Sequence, residues 1–235
     1  MILNHFNINK FRWFGRAKPS HWACVLLLLL MSVWHVPMAQ AQSYEQFFRA
    51  IEQDDAGTVE TLLKRGFDPN TPSSTLQPAL TLALQNGALR VAEVLIAAPN
   101  IRVNQLNPSG ETPLMMAALK GQLRIGEQLL ARGAELNSGG WTPLHYAATG
   151  GHAEMLKWLL QQKAPINAAS PNGTTPLMMA AHYGNPDVTK ILLLAGADPK
   201  LKNQLGLTAL DFALNGPHKE SAQLISQALK SSPGH

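Results

Sequence analysis

The clearest pattern of apolar and polar positions lies in residues 139–160. Thr142 is followed by a proline, a pair suited to the start of a helix, and an apolar stripe at helical spacing begins at Leu144. A Gly-Gly pair then ends this short helix, because glycine readily adopts the left-handed conformation. A second stripe of apolar residues begins at Met155. The stretch therefore predicts two antiparallel helices joined by a tight turn.

The rest of the chain repeats this pattern. Each copy has a Thr-Pro-Leu or Thr-Ala-Leu triplet, then small residues, a glycine and an apolar pair. The triplets are spaced by 30, 33 and 33 residues. A fixed period of this size indicates an array of helix pairs that bury their apolar stripes against one another. The triplets begin at Thr112, Thr142, Thr175 and Thr208.

The sequence Thr-Pro-Leu-His-x-Ala-Ala, followed by Gly-His and then Leu-Leu, resembles the ankyrin repeat. The match is strongest in residues 139–170 and weakest at the two ends, where terminal repeats act as caps. The resemblance implies an all-α ankyrin-repeat solenoid of about six helix–turn–helix units with β-turn fingers, occupying residues 42–235. We number the units one to six: 43–70, 71–105, 106–138, 139–170, 171–203 and 204–230.

The repeats depart from the family pattern in two ways. Only unit four has a histidine, His145, after its Thr-Pro-Leu triplet; the equivalents are Met115, Met178 and Asp211. In the family this histidine forms hydrogen bonds between repeats, so part of that support is expected to be missing here. The linker at residues 136–141 is also about three residues short, which predicts a truncated finger before unit four.

Residues 1–41 are predicted to be a signal peptide. A basic stretch ends at Lys18, an apolar run follows, and Ala39-Gln40-Ala41 has the small-x-small pattern of a cleavage site. We expect cleavage after Ala41 and a periplasmic or otherwise secreted chain, with no membrane attachment afterwards. The alternative is an uncleaved membrane anchor, although charged or polar residues leave the apolar run short of a full membrane span.

The distribution of charge, cysteine and catalytic motifs restricts the classes of function that the chain can have. Four basic residues before position 42 account for the whole excess of 19 Lys and Arg over 15 Asp and Glu, so nucleic-acid binding is not expected. The one cysteine, Cys24, lies within the predicted signal peptide, so stability must come from packing. No phosphate-binding loop, nucleophile elbow or zinc-protease motif is present. We expect no enzyme activity and no cofactor.

Two interpretations apply to the histidines of unit four. His145 and His152 are candidates for zinc ligands, but zinc needs about four converging donors, and the pattern favours two residues of the repeat framework. We therefore expect no metal site. A column of apolar residues at one repeat position is similarly interpreted as core: Met116, Tyr146, Met179 and Phe212, with Leu82 and Phe48 in the outer units.

The resemblance also indicates a partner-binding surface. In the family, the residue before the Thr-Pro pair and the two after the alanine pair face partners, although some could instead fold over neighbouring repeats. The expected function is non-catalytic binding of a protein by a monomer; the alternative is a weakly binding structural or protective accessory to an exported enzyme. The predicted binding residues are Glu111, Leu119, Lys120, Trp141, Thr149, Thr174, His182, Tyr183, Leu205 and Leu207.

Overall fold

The computed structural model describes residues 40–137, 139–183, 186–217 and 219–231. The chain divides into a unit of residues 1–45 and a second unit of residues 46–235. In the first unit the described residues are 40–45, which are helical, so nearly all of the predicted signal peptide lies outside the described residues. Among the described residues, no helix is long and apolar enough to cross a membrane.

The described residues form six consecutive helix pairs, as the repeat pattern predicts. The fold is all-helical, apart from one isolated bridge between Pro72 and Pro78 within the described residues. In order, the helices are α1 (40–52) and α2 (Ala56–Lys64), α3 (Ala79–Asn86) and α4 (Leu89–Ala97), α5 (Pro113–Leu119) and α6 (Leu123–Ala131), α7 (Pro143–Gly150) and α8 (Ala153–Gln161), α9 (Pro176–His182) and α10 (Pro186–Leu194), and α11 (Ala209–Asn215) and α12 (Lys219–Ser231).

Threonines begin the first helix of several pairs. The hydroxyl oxygens of Thr112 and Thr175 accept the backbone N–H of the residue three positions later, at 3.2 and 3.4 Å. Proline then occupies the first helical position, where a missing N–H costs nothing. The repeated Thr-Pro pair therefore determines where each of these helices begins, and with it the register of the leucine that follows.

The helix pairs share one hydrophobic core. The first helices of units three to six pack side by side, and the alanine pairs of units three to five, such as Ala147-Ala148, are completely buried. Small side chains let these helices approach closely, while leucines from both helices of each pair fill the space between them. The central leucines are all buried: Leu80, Leu114, Leu144 and Leu177 from the first helices, and Leu95, Leu129, Leu159 and Leu192 from the second.

Asparagine side chains join consecutive units across their turns. The Oδ1 atom of Asn70 accepts the backbone N–H of Arg102 at 2.8 Å, and the Oδ1 atom of Asn104 accepts that of Glu135 at 3.0 Å. Asn167 accepts the N–H of Asp198 in the same way, at 3.0 Å. At the corresponding position of unit four stands Pro165, which has no N–H to donate. This series of bonds therefore cannot include the junction between units three and four.

Replacing Leu144 by alanine tests the dependence on packing. Leu144 is fully buried at the centre of the array, so Leu144→Ala should lower the free energy of unfolding by about 2–5 kcal/mol through the cavity it leaves. Leu214→Ala is the matched control, since the side chain of Leu214 is 68% exposed, and it should change stability little. Chemical denaturation measures both. Equal effects of the two variants would contradict this account of the core.

Candidate functional site

A small apolar pocket of about 250 Å³ opens on the first helices of units three to five. Leu119 contributes one wall from the end of α5, and Met179 contributes another from α9. The remaining walls come from α7 and the residue just before its cap, so unit four supplies most of the site. We call this site the inner-helix pocket; it is lined by Leu119, Trp141, His145, Tyr146, Thr149 and Met179.

His145 is a buried lining residue of the pocket. Its ring is fully buried, and its Nε2 atom lies 2.9 Å from the carbonyl oxygen of Thr174 in the next unit. Because a carbonyl can only accept, Nε2 carries the proton, and Nδ1 accepts from the backbone N–H and hydroxyl of Thr142 at 3.2 and 2.9 Å. The ring of Trp141 meets the imidazole edge-on, with 5.2 Å between ring centroids.

Tyr146 is held at the pocket by the preceding unit. Its hydroxyl donates to Oε1 of Glu111 at 2.9 Å, and Oε2 of Glu111 accepts from the side-chain amide of Asn107 at 2.8 Å. Burial and the neighbouring Glu111 carboxylate both raise the pKa of Tyr146 well above its ordinary value, so the phenol stays protonated. The aromatic ring is thus fixed across the junction of units three and four.

The Met116 column packs on the core as interpreted, but most of its members are only partly buried. Met116 is buried, but Tyr146 and Met179 are only partly buried, and both line the inner-helix pocket. Periodicity identifies a column that packs on the core, but it does not show that one face of each side chain remains open. The other members, Phe48, Leu82 and Phe212, are likewise partly buried against the core.

The predicted binding residues separate into three groups: those at the pocket, those outside it, and Thr174, which is buried. Leu119, Trp141 and Thr149 meet in the inner-helix pocket, and Glu111 reaches it through its bond to Tyr146. Lys120 is exposed; Tyr183 is 58% and Leu205 80% exposed, and His182 and Leu207 are partly buried. These five do not line the pocket, so His182 and Tyr183 do not meet Trp141 there.

The prediction for Thr174 is wrong. Its side chain is only 2% exposed, because the residue ends the finger of unit five and turns its backbone carbonyl toward His145. Its N–H is also taken, by the hydroxyl of Ser170 at 3.0 Å. A position that faces solvent in one repeat can therefore be buried in the next.

Both histidines of unit four have framework roles. His152 lies 2.9 Å through Nε2 from the carbonyl oxygen of Leu119, again in a neighbouring unit. Its ring fits beside Gly121, where a Cβ atom would lie 2.5 Å from the ring and where φ is +66°. Across the part of the chain that the structure describes, no three His, Cys, Asp or Glu residues are grouped so as to hold a metal ion.

Methionine replaces only half of the histidine's function. In units three and five the Sδ atoms of Met115 and Met178 accept the backbone N–H of Thr112 and Thr175, each at 3.4 Å. A thioether has no proton to donate, so it cannot reproduce the bond from His145 to the next unit. The expected loss of polar support is therefore confined to the bond that the histidine would donate to the next unit.

A second cleft, of about 420 Å³, lies on the other side of Trp141. Its walls include Ser109 and Gly110 from the finger of unit three and Pro171 from the finger of unit five. The intervening finger is the one predicted to be truncated. We call this site the finger cleft; its lining residues also include Leu106, Met115 and Glu135.

Stacked helix pairs connected by hairpin fingers define a helical-repeat protein of the kind that presents an extended binding surface. Comparison with known families identifies the repeat: the family described as "Ankyrin repeats (3 copies)" matches residues 47–139, 80–169, 133–203 and 163–231. These matches together span the whole of residues 47–231. The chain therefore belongs to the ankyrin-repeat family.

Several curated proteins are similar to this chain over part of their length. "Ankyrin repeat and SAM domain-containing protein 6" of Rattus norvegicus is 30% identical over 67% of this chain, and "Rabankyrin-5" of Homo sapiens is 26% identical over 84%. The human "NAD-capped RNA hydrolase NUDT12" is 40% identical over 27% of the chain. The aligned regions span only 15%, 18% and 14% of those proteins, so the similarity concerns repeats and not whole proteins.

The buried His145 should make stability depend on pH. Burial lowers its pKa to about 4, from 6.5 in an exposed imidazole, and the Thr174 carbonyl offsets only part of this effect. The unfolded chain therefore binds the proton first, so stability present above pH 6.5 is lost as the pH falls toward 4. The loss at pH 4 should be about 3 kcal/mol.

The matched control is His145→Met, which copies Met115 and Met178 of the neighbouring units. Denaturant unfolding of both proteins between pH 7.5 and 4 isolates the contribution of the histidine, because all other titrating groups are shared. The stability of the variant should fall less on acidification than that of the original chain. Identical pH profiles would contradict the assignment of a buried, neutral His145.

Proposed function

We propose that this chain is a non-catalytic binding module that holds a protein partner on the face containing the inner-helix pocket. Ankyrin repeats generally mediate protein–protein interaction, and the pocket gives this array a particular point of attachment. The observation that carries the proposal is the convergence of Leu119, Trp141, Tyr146 and Met179 around one apolar opening. Such an opening accepts an apolar side chain from a partner surface.

The residues at the opening are of the types that dominate protein interfaces. Trp and Tyr are enriched among interface residues whose removal weakens binding most, because they bury large area with few rotatable bonds. Trp141 is braced by His145, and Tyr146 by Glu111, so little side-chain freedom is lost when a partner binds. The pocket is therefore organised before a partner arrives.

The alternative function is that of a weakly binding structural or protective accessory to an exported enzyme. An entirely polar face would favour that role, whereas this face has an apolar pocket rimmed by polar groups. We therefore favour specific protein binding. The proposal further includes a monomeric chain without enzyme activity, cofactor or nucleic-acid partner; the absence of a basic excess after residue 41 supports the last point.

A single charged substitution tests the binding face. Leu119→Glu places a carboxylate at the apolar pocket and should weaken partner binding at least tenfold, a loss of about 1.4 kcal/mol or more. Leu194→Glu is the matched control, because Leu194 is 80% exposed and lies outside the pocket. Partners captured with the original chain would be titrated against both variants by calorimetry. Equal affinities for the two variants would place the binding site elsewhere.

We also propose that the chain acts in an exported compartment after removal of residues 1–41. The supporting observation is the order of a basic stretch, an apolar run and Ala39-Gln40-Ala41 in the sequence. N-terminal sequencing of the protein from a host that exports it should give a chain that begins at Gln42. A protein that begins at Met1 and fractionates with membranes would instead support the uncleaved anchor.

A further inference from the structure

The complete fingers of this chain all close with the same pair of hydrogen bonds. In unit five the N–H of Ser170 donates to the carbonyl of Thr174 at 2.9 Å, and the N–H of Thr174 donates back to the Ser170 hydroxyl at 3.0 Å. In unit three Asn107 and Glu111 form the equivalent pair, at 3.0 and 2.9 Å. The same arrangement joins Ser73 to Gln77 and Asn203 to Leu207.

In the finger of unit four, the described residues Asn137 and Trp141 do not form this pair of hydrogen bonds. In the intact units, one residue follows the preceding helix pair and another lies at the base of the finger. These two residues are three positions apart, as Asn167 and Ser170 are. Because unit four is three residues shorter, the single residue Asn137 stands in place of both. Within the described part of the chain, its Oδ1 atom accepts the N–H of Gly139, at 3.4 Å, and no other. The counterpart of Thr174 is Trp141.

The backbone of Trp141 is consequently left without its usual partner. Among the described residues, neither its N–H nor its carbonyl forms a hydrogen bond. Trp141 also lines the finger cleft, which lies between the complete fingers of units three and five. A volume of about 420 Å³ is within the range of protein ligand sites. The residue whose backbone donor and acceptor are unpaired among the described residues therefore also lines this cleft.

The lining of the finger cleft defines the chemistry of an occupant. Leu106, Met115, Trp141 and Pro171 offer apolar surface to a side chain. Glu135 also lines the cleft, and within the described residues its carboxylate takes part in no ion pair, so a basic side chain would find a counter-charge there. The site therefore favours an extended segment with a small or apolar residue next to Lys or Arg.

We propose that an extended segment of the protein partner completes the finger of unit four by strand addition, pairing its backbone with the N–H and carbonyl of Trp141. Main-chain pairing of this kind is a recurrent way to bind an extended peptide, with affinity from the backbone and selectivity from the side chains. The chain supplies its own template, since residues 168–170 occupy the equivalent place in unit five. This inference rests on the proposed function and specifies the form of the partner.

The test uses a peptide that carries the template strand. The capped peptide Lys-Ile-Asn-Ala-Ala-Ser, which contains the sequence of residues 166–170 after a lysine, is titrated into the isotope-labelled full chain and followed by NMR. The backbone amide signal of Trp141 should shift downfield and exchange more slowly with solvent. A peptide N-methylated at its serine has lost the donor to the Trp141 carbonyl, and its affinity should be roughly tenfold lower.

A variant of the chain provides the second arm. Inserting Ala-Ala-Ser after Asn137 restores the length of unit five and should close the finger on Trp141, which abolishes the response to the peptide while the melting temperature is retained. If this insertion unfolds the chain, the comparison of the two peptides still decides the question. Glu135→Gln should weaken binding of the lysine peptide but leave an otherwise identical peptide without lysine unaffected.

Three results would overturn the inference. The first is no response at Trp141, and the second is an equal response to the N-methylated peptide. The third is protection of the Trp141 amide without peptide, lost on dilution or on removal of residues 1–41, because a second copy or the chain itself would then occupy the cleft. If the peptide gives no response but Leu119→Glu still weakens partner binding, the proposed function stands and only the strand site is wrong. If the peptide binds as expected but Leu119→Glu does not weaken partner binding, the strand site stands and the proposed binding face is wrong.

Discussion

No helix pair of this protein can bury its own leucines, and this constraint governs the rest of the structure. Each pair presents one apolar stripe from a short first helix and another from the second, and only the neighbouring pairs can cover them. The completely buried alanines at positions 147 and 148 matter because they bring adjacent first helices close enough for leucines such as Leu144 to fill the space between them. Stability is therefore a property of junctions between units.

Polar groups at those junctions adjust a contact that the apolar residues have already made. The asparagine series, the bond from His145 to the Thr174 carbonyl and the bond from His152 to the Leu119 carbonyl each join one unit to the next. Unit four participates in the two histidine bonds and, through Asn167, in the asparagine series, but Pro165 excludes that series from its junction with unit three. The polar support of the array is thus unevenly distributed: His152 bonds across the junction of units three and four, where the asparagine bond is missing, and both His145 and Asn167 bond across the next junction.

That unevenness lies next to the proposed binding surface. Trp141 stands where the finger is truncated, and it separates the inner-helix pocket from the finger cleft. A longer finger would pair with the backbone of Trp141, just as each neighbouring finger pairs with its own residue at the equivalent position. The shorter finger therefore leaves Trp141, whose backbone groups are unpaired among the described residues, as a lining residue of both cavities. A partner that inserted a side chain in one cavity and a strand in the other would contact Trp141 from both sides.

The sequence by itself determined the repeat, the helix pairs and the truncated finger, because these depend on local signals: the Thr-Pro start, the glycine stop and the period of the leucines. It also assigned Leu119, Trp141 and Thr149 to one face through the repeat register, and these three residues line one pocket. Only the tertiary structure decided that Tyr146 and Met179 keep an open side, that Thr174 is buried and that Asn70, Asn104 and Asn167 join successive units. Those outcomes depend on which neighbour covers each residue, and a periodic pattern assigns the same environment to every copy even where one short loop has changed it.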